Sequence, residues 1–245
     1  QVIENLTSDN VTGYIENGSG NIPTQTSIST SNSAVGVITY SVTPSTSFCT
    51  GESQNFTITV NPEPQIDNFT ETICEGDTFT SITPEDGTHG VVPSGTTYTW
   101  DIAASSSSSI EGASASTAAS STIPGSELTL VAGTTSPQDL IYIVTPTSSE
   151  GCEGEDFTVT ITVNPTAQVD EPLDYEYCDG DTAEIDFTTS NGGDDSVTTY
   201  SWVVTGDDIG LPSQGNDNIS ELVTNSTNDI LTATIEGTPT YTNAG

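Results

Sequence analysis

The side chains of this 245-residue sequence that most readily do chemistry are four cysteines (Cys49, Cys74, Cys152 and Cys178), one histidine (His89) and 35 Asp plus Glu. A closed zinc site wants cysteines a few residues apart, and no Cys-x-x-Cys occurs here. A Ser-His-acid triad would have His89 as its only base. Carboxylate pairs for glycoside hydrolysis are available by number alone, which is not a signal. The sequence has no Lys and no Arg. That removes a Schiff-base lysine, a phosphate clamp, an oxyanion-stabilising cation and the Gly-x-x-x-x-Gly-Lys loop. We therefore expect no catalysis and no resident metal, with one exception weighed below.

The formal charge of -35 repels nucleic acid phosphates and anionic lipid heads, so neither class of partner is expected. No run approaches the roughly 20 apolar residues of a membrane span, and no direct membrane insertion is expected. Four Cys beside no Met, in a loop-rich β pattern, suit an oxidising, extracellular setting. The chain opens at Gln1 without Met and reads as a fragment or processed product.

Low hydrophobicity with high net charge also marks disorder. Against it stand VGVITYSV (35–42), LIYIVT (140–145) and FTVTITV (157–163), β-branched and aromatic runs that alternate with period 2. No helix period appears, so the elements that position the chemistry are strands. They come in copies. Cys49 and Cys152 are 103 residues apart, Cys74 and Cys178 are 104 apart, and Tyr40/Tyr142 and Trp100/Trp202 are each 102 apart. The text between the anchors repeats as well: ICEGDT against YCDGDT, TTYTW against TTYSW, and FTITVNP against TITVNP.

A period near 103 residues is the size of one β-sandwich, not of a solenoid repeat. The expected fold is all-β: tandem immunoglobulin-like sandwiches, one complete (64–167), one represented by its C-terminal part (1–63) and one by its N-terminal part (168–245). The Asn-Pro segments at 61–64 and 164–167 are the expected joints, because Pro cannot donate to a ladder. In the complete unit we expect strands near 68–73, 78–83, 97–103, 127–132, 139–146 and 156–163. The Ser/Ala tract 101–122 reads as a long loop or weak edge strands.

Cys74 and Cys152 each precede an alternating run with Phe five residues on. Were those runs side by side in register, a Cys74–Cys152 disulfide would form and stabilise by about 4 to 4.5 kcal/mol on the chain-entropy model. Cys49 and Cys178 would then find partners beyond the given residues, in the remaining parts of their own repeats. The alternative, Cys49 with Cys74 and Cys152 with Cys178, would staple neighbouring units. Tyr40, Tyr98, Trp100, Tyr142, Tyr200 and Trp202 are expected as core anchors; an exposed pair would instead make a sugar-stacking platform. Calcium is the one cofactor to weigh. Acidic positions recur (Asp67 and Asp170, Glu75 and Asp179, Asp77 and Asp181), yet no Asp-x-Asp-x-Asp-Gly loop is present, and acidic turns such as PEDG (84–87), NGGDDS (191–196) and TGDDIG (205–210) are more often plain solvated turns, so no cofactor is expected.

The ordered set Cys-x-Gly, Thr-Thr-Tyr-x-Trp, Tyr-x-Val-Thr-Pro, Gly-Cys-x-Gly and Phe-Thr-Val-Thr-Ile-Thr-Val-Asn-Pro resembles the PKD-like, immunoglobulin-like repeats of very large Bacteroidota surface proteins. These include gliding-motility adhesins exported by the type IX secretion system. The resemblance implies a stalk or filament segment of a secreted cell-surface adhesin, whose partners are neighbouring repeats. Surface polysaccharide or other cells would be met through a distal domain. Two other expectations are kept: a filament subunit completed by donor strands from neighbouring chains, and a carbohydrate-binding module.

Overall fold

The computed structural model describes residues 2–26, 28–30, 32–192 and 196–243; of the predicted acidic turn 191–196, residues 193–195 lie outside these. Regular structure among the described residues is β throughout, and no helix is long and apolar enough to cross a membrane. Three hydrophobic clusters form, centred on Ile38 and Tyr40, on Tyr142 and Val159, and on Trp202 and Ile219.

The middle cluster is the largest, and its sheet shows why the sequence folds this way. Gln138–Thr147 alternates, turning Leu140, Tyr142 and Val144 inward and Ile141, Ile143 and Thr145 outward. Phe157–Asn164 does the same with Phe157, Val159, Ile161 and Val163. Period-2 burial of this kind fixes register, because a one-residue slip would turn every apolar side chain to water. The sheet order is Ser116–Ser120, Thr97–Ile102, Gln138–Thr147, Phe157–Asn164, Phe69–Cys74. All neighbours are antiparallel except the last pair, which is parallel from Val159↔Phe69 to Asn164↔Cys74.

The opposing layer is looser. It supplies the buried side chains of Phe79, Ile82, Ile123, Leu128 and Leu130, yet its segments meet only through the bridges Thr78↔Glu127 and Ile82↔Ile123 and the short Ile110–Glu111/Thr129–Leu130 ladder. The expected 78–83 strand is thus two isolated bridges. Pro124 has no N–H to give, and Gly125 lies so close to Phe79 that a Cβ there would sit 1.9 Å from its carbonyl oxygen. The Ser/Ala tract resolves into the edge strand Ser116–Ser120 and the pair at Ile110–Glu111.

The parallel pair overturns the expected Cys74–Cys152 disulfide. Cys74 ends its strand level with Asn164, whereas the carbonyl of Cys152 accepts from Ser148 N beyond the far end of Gln138–Thr147. The two cysteines are separated along that ten-residue strand, roughly 33 Å at a 3.3 Å rise, far beyond disulfide reach. All four cysteines are free. The physical reason is that the strand before Cys74, not the run after it, joins the sheet.

The flanking sheets repeat parts of this pattern. The first has the order Asn17–Ser19, Val2–Asp9, Gly36–Thr43, Gln54–Val60. The last has Gln214–Asn216, Ser196–Gly206, Ala233–Asn243. There Tyr200 faces Pro239 and Trp202 faces Gly237, as Tyr98 faces Pro146 and Trp100 faces Val144. The text GTPT at 237–240 therefore takes the place of VTPT at 144–147, only 93 residues on, because this copy lacks the Ser/Ala tract.

These faces are testable. Ile161→Ala, at a fully buried site, should lower unfolding free energy by about 2–5 kcal/mol. Ile143→Ala, on the outer face of the adjacent strand, should change it by about 0.5 kcal/mol or less in the same urea titration.

Candidate functional site

The chemistry-bearing residues gather at the two ends of the middle sandwich. At one end Cys74 opens a tight turn: Asp77 N donates to the Cys74 carbonyl (3.0 Å), Cys74 N donates to Asp77 Oδ2 (3.3 Å), and Gly76 adopts φ 86. The same turn recurs at Cys178, with Asp181 N to the Cys178 carbonyl (3.0 Å), Cys178 N to Asp181 Oδ2 (2.8 Å) and Gly180 at φ 88. Cys-x-Gly-Asp is therefore a turn signature, in which Gly supplies the left-handed residue and Asp ties back the strand end. Glu75 reaches across, its Oε2 accepting from Thr166 Oγ1 (2.9 Å) in the joint.

Recurrent acids thus serve local hydrogen bonds. Asp179 Oδ1 accepts from Asn225 N (2.9 Å) and Asp170 Oδ2 from Thr188 Oγ1 (3.1 Å). Asp67 and Asp77 lie at opposite ends of the unit, since Asp67 N donates to the His89 carbonyl beside the Gln65–Ile66/Gly90–Val91 pair. Among the described residues no three His, Cys, Asp or Glu side chains group as metal ligands.

The other end holds Cys152, His89 and the loop containing Asp86. His89 Nδ1 accepts from Glu85 N (2.9 Å) and its ring packs on Phe69 at 5.1 Å, so the histidine folds the loop. Beside it lies a shallow hollow of about 240 Å³ between Phe69, Glu71, Thr80 and Ile82. Its one carboxylate, Glu71, is already bound by Thr80 N (2.9 Å) and Thr80 Oγ1 (2.9 Å).

Each joint is bridged by hydrogen bonds from the loop that precedes a central strand, with different atoms at each. Ser33, in the loop before Gly36–Thr43, donates to Asp86 Oδ2 at 2.5 Å, and Val92 N donates to Asp86 Oδ1 at 2.9 Å. The Ser33 bond, then the Val92 amide, holds the Asp86 carboxyl below its ordinary value. At the next joint Gly192 N donates to the Thr135 carbonyl (2.7 Å) and Asn191 Nδ2 to the Thr166 carbonyl (3.1 Å). Ser33 and Thr135 are 102 residues apart, the repeat spacing. Nothing in composition pointed to them; the signal was their position before corresponding strands.

The aromatic anchors lie in the cores. Tyr40, Tyr98, Trp100, Tyr142 and Trp202 are buried and Tyr200 is half-buried. Trp100 Nε1 donates to the Ser114 carbonyl and Trp202 Nε1 to the Asp217 carbonyl, both at 3.0 Å, while Tyr40 Oη donates to the Ile15 carbonyl. Burial pushes the Tyr98 hydroxyl up to about 12. With both indole rings inside, Trp100 and Trp202 offer no stacking platform to a sugar.

A profile of the family described as PKD-like domain matches residues 3–64 and 71–167. Among curated proteins none matches the chain.

Two outcomes follow from this geometry. Alkylation of the native protein without reductant should modify four cysteines; modification of only two would restore an internal disulfide. Because the Asp86 carboxyl is held low, its bonds to Ser33 and Val92 are present above the ordinary value of 3.8 and lost only as pH falls further. The Val92 amide shift should titrate with a midpoint below 3.8, whereas a midpoint at or above it would mean the joint contact does not form.

Proposed function

The chain belongs to the PKD-like domain family, and on that premise we propose that it is a non-catalytic spacer: a stalk or filament segment of a secreted, multi-repeat cell-surface adhesin that holds a distal binding domain away from the cell. One observation carries the reading. Both joints are contacted from positions 102 residues apart, by the Ser33 hydroxyl on the Asp86 carboxylate and by the Thr135 carbonyl on the Gly192 amide, so each unit touches the next from the same loop. A repeated head-to-tail contact between units that enter at one end and leave at the other generates length.

Other features support it. Asp and Glu without any Lys or Arg make neighbouring rods repel and stay dispersed. The core rings of Trp100, Trp202, Tyr98 and Tyr142 are buried and structural, and adhesion is assigned in this reading to a domain elsewhere in the assembly. Cys74 and Cys152 lie at opposite ends of their unit. The outer-surface setting, the gliding-motility type of adhesin and export by the type IX route rest on the resemblance of the repeated motifs.

Small-angle scattering tests the shape. Three units of about 33 Å each give a rod near 100 Å, with a radius of gyration close to 30 Å. A compact 245-residue globule would give about 18 Å, and that value would overturn the spacer reading. Antibody against the chain should also label intact, unpermeabilised producing cells; labelling only after permeabilisation would contradict the surface assignment.

A further inference from the structure

The fold does not require the glycine at position 192. Gly87 and Gly180, which follow Asp86 and Asp179, hold left-handed φ values of 75 and 88. Gly192 follows Asn191 with no left-handed φ, and a Cβ there would meet nothing within 4 Å. Neither conformation nor crowding selects glycine here. What glycine supplies is an amide nitrogen that no side chain shields, directly after an asparagine. That nitrogen, once it gives up its proton, can attack Asn191 Cγ. The new C–N bond closes a succinimide ring, and the side-chain nitrogen takes up a proton and leaves as ammonia. Water then opens the ring at either carbonyl, leaving Asp or isoaspartate in place of Asn191.

The joint holds both reactants. Gly192 N donates across it to the Thr135 carbonyl at 2.7 Å. Asn191 Nδ2 donates to the Thr166 carbonyl at 3.1 Å, and Asn191 Oδ1 accepts from Gln168 N at 2.6 Å. Asn191 N donates to Thr189 Oγ1 at 3.0 Å, and that hydroxyl donates in turn to the Gln168 carbonyl at 2.7 Å. The attacking nitrogen is thus tied to the preceding unit, while the carbon it must reach is tied to the linker. Cyclisation needs the two in contact and aligned, so it waits until the joint opens locally. After conversion the Nδ2 donor is gone, and a carboxylate oxygen faces the Thr166 carbonyl with no proton between them. The isoaspartyl form also lengthens the backbone by one methylene.

We propose that Asn191–Gly192 is a self-modifying site: opening of the joint licenses conversion of Asn191 to isoaspartate, and the product keeps the joint from closing as before. A joint that stays shut preserves its asparagine, and one that is flexed loses it irreversibly. Conversion adds a negative charge to a chain of -35 that has no Lys or Arg to pair with it. The inference goes beyond the spacer reading and uses only the hydrogen bonds of the joint. Asn17–Gly18, in the exposed strand Asn17–Ser19 of the first unit, is the internal reference.

The test follows both Asn-Gly pairs in the full chain by peptide mass mapping and isoaspartyl methyltransferase labelling, in mildly alkaline buffer, native and in urea. Digestion uses an acid-specific protease, because a chain without Lys or Arg offers trypsin no site. Asn191 should convert about tenfold or more slower in the native protein than in urea, the factor set by an opening free energy of about 1.4 kcal/mol. Thr189→Val removes the clamping hydroxyl and should speed native conversion of Asn191 about fivefold, the factor for losing about 1 kcal/mol of hydrogen bonding, while Asn17 keeps its rate. Gly192→Ala should slow conversion of Asn191 in urea severalfold and leave thermal unfolding unchanged. With Cys49 and Cys152 changed to Ser, nitroxides on the exposed Cys74 and Cys178 lie one on each side of the joint. Their distance distribution should broaden as isoaspartate accumulates at 191 and stay narrow in Gly192→Ala aged in parallel. Equal rates at Asn191 in native and urea-unfolded protein, no acceleration in Thr189→Val, or a distribution that stays narrow after conversion would each overturn the proposal. An extended rod with any of those results leaves the spacer reading standing, so the two fail separately.

Discussion

The parallel ladder between Phe69–Cys74 and Phe157–Asn164 is the constraint from which the rest of the architecture follows. These are the first and last strands of the middle unit's main sheet, and parallel pairing sends both the same way. The chain therefore enters the sandwich at one end and leaves at the other. Had the same strands paired antiparallel, entry and exit would share an end and successive units would fold back on one another. Length, the separation of Cys74 from Cys152 and the matching joints all descend from that direction.

Few side chains enforce the direction. Asn68 Oδ1 accepts from Thr158 N at 2.8 Å and fastens the start of one strand to the start of the other. Gly154 passes so close to Pro64 that a Cβ would lie 2.1 Å from its carbonyl oxygen, so a side chain there would push the entering chain away. At the far end Glu75 N donates to the Asn164 carbonyl at 2.8 Å, and the Glu75 carboxylate continues into the joint through Thr166. Polar residues do the aligning here, and apolar alternation does the stabilising.

Much of the sandwich was legible in the text. Period-2 runs such as LIYIVT and FTVTITV mark strands because each buried side chain must be followed by an outward one, and Tyr-x-Trp marks a core because both rings then share a face. The Gly-Asp after Cys74 and Cys178 makes a turn, and turn chemistry carries no information about which flanking run joins a ladder: at Cys74 the run before it pairs with Phe157–Asn164, whereas at Cys178 the strand is the run after it, Thr182–Ile185. The expected 78–83 strand gives only bridges for a related reason, since apolar residues such as Phe79 and Ile82 report burial against a sheet and not hydrogen bonding to a neighbour. The Ser33–Asp86 contact lay beyond sequence reasoning, because two common polar residues 53 apart meet only once the joint is built.

Strand direction is the claim to measure, and the native cysteines are placed for it. With Cys49 and Cys178 changed to Ser, nitroxide labels on Cys74 and Cys152 report their separation by pulsed electron resonance. The parallel ladder predicts a narrow distribution at roughly 33 Å or somewhat beyond, the span of the intervening strand. A distribution centred below about 15 Å, or a pair too close to label because the sulfurs have joined, would contradict the parallel pairing and with it the head-to-tail architecture.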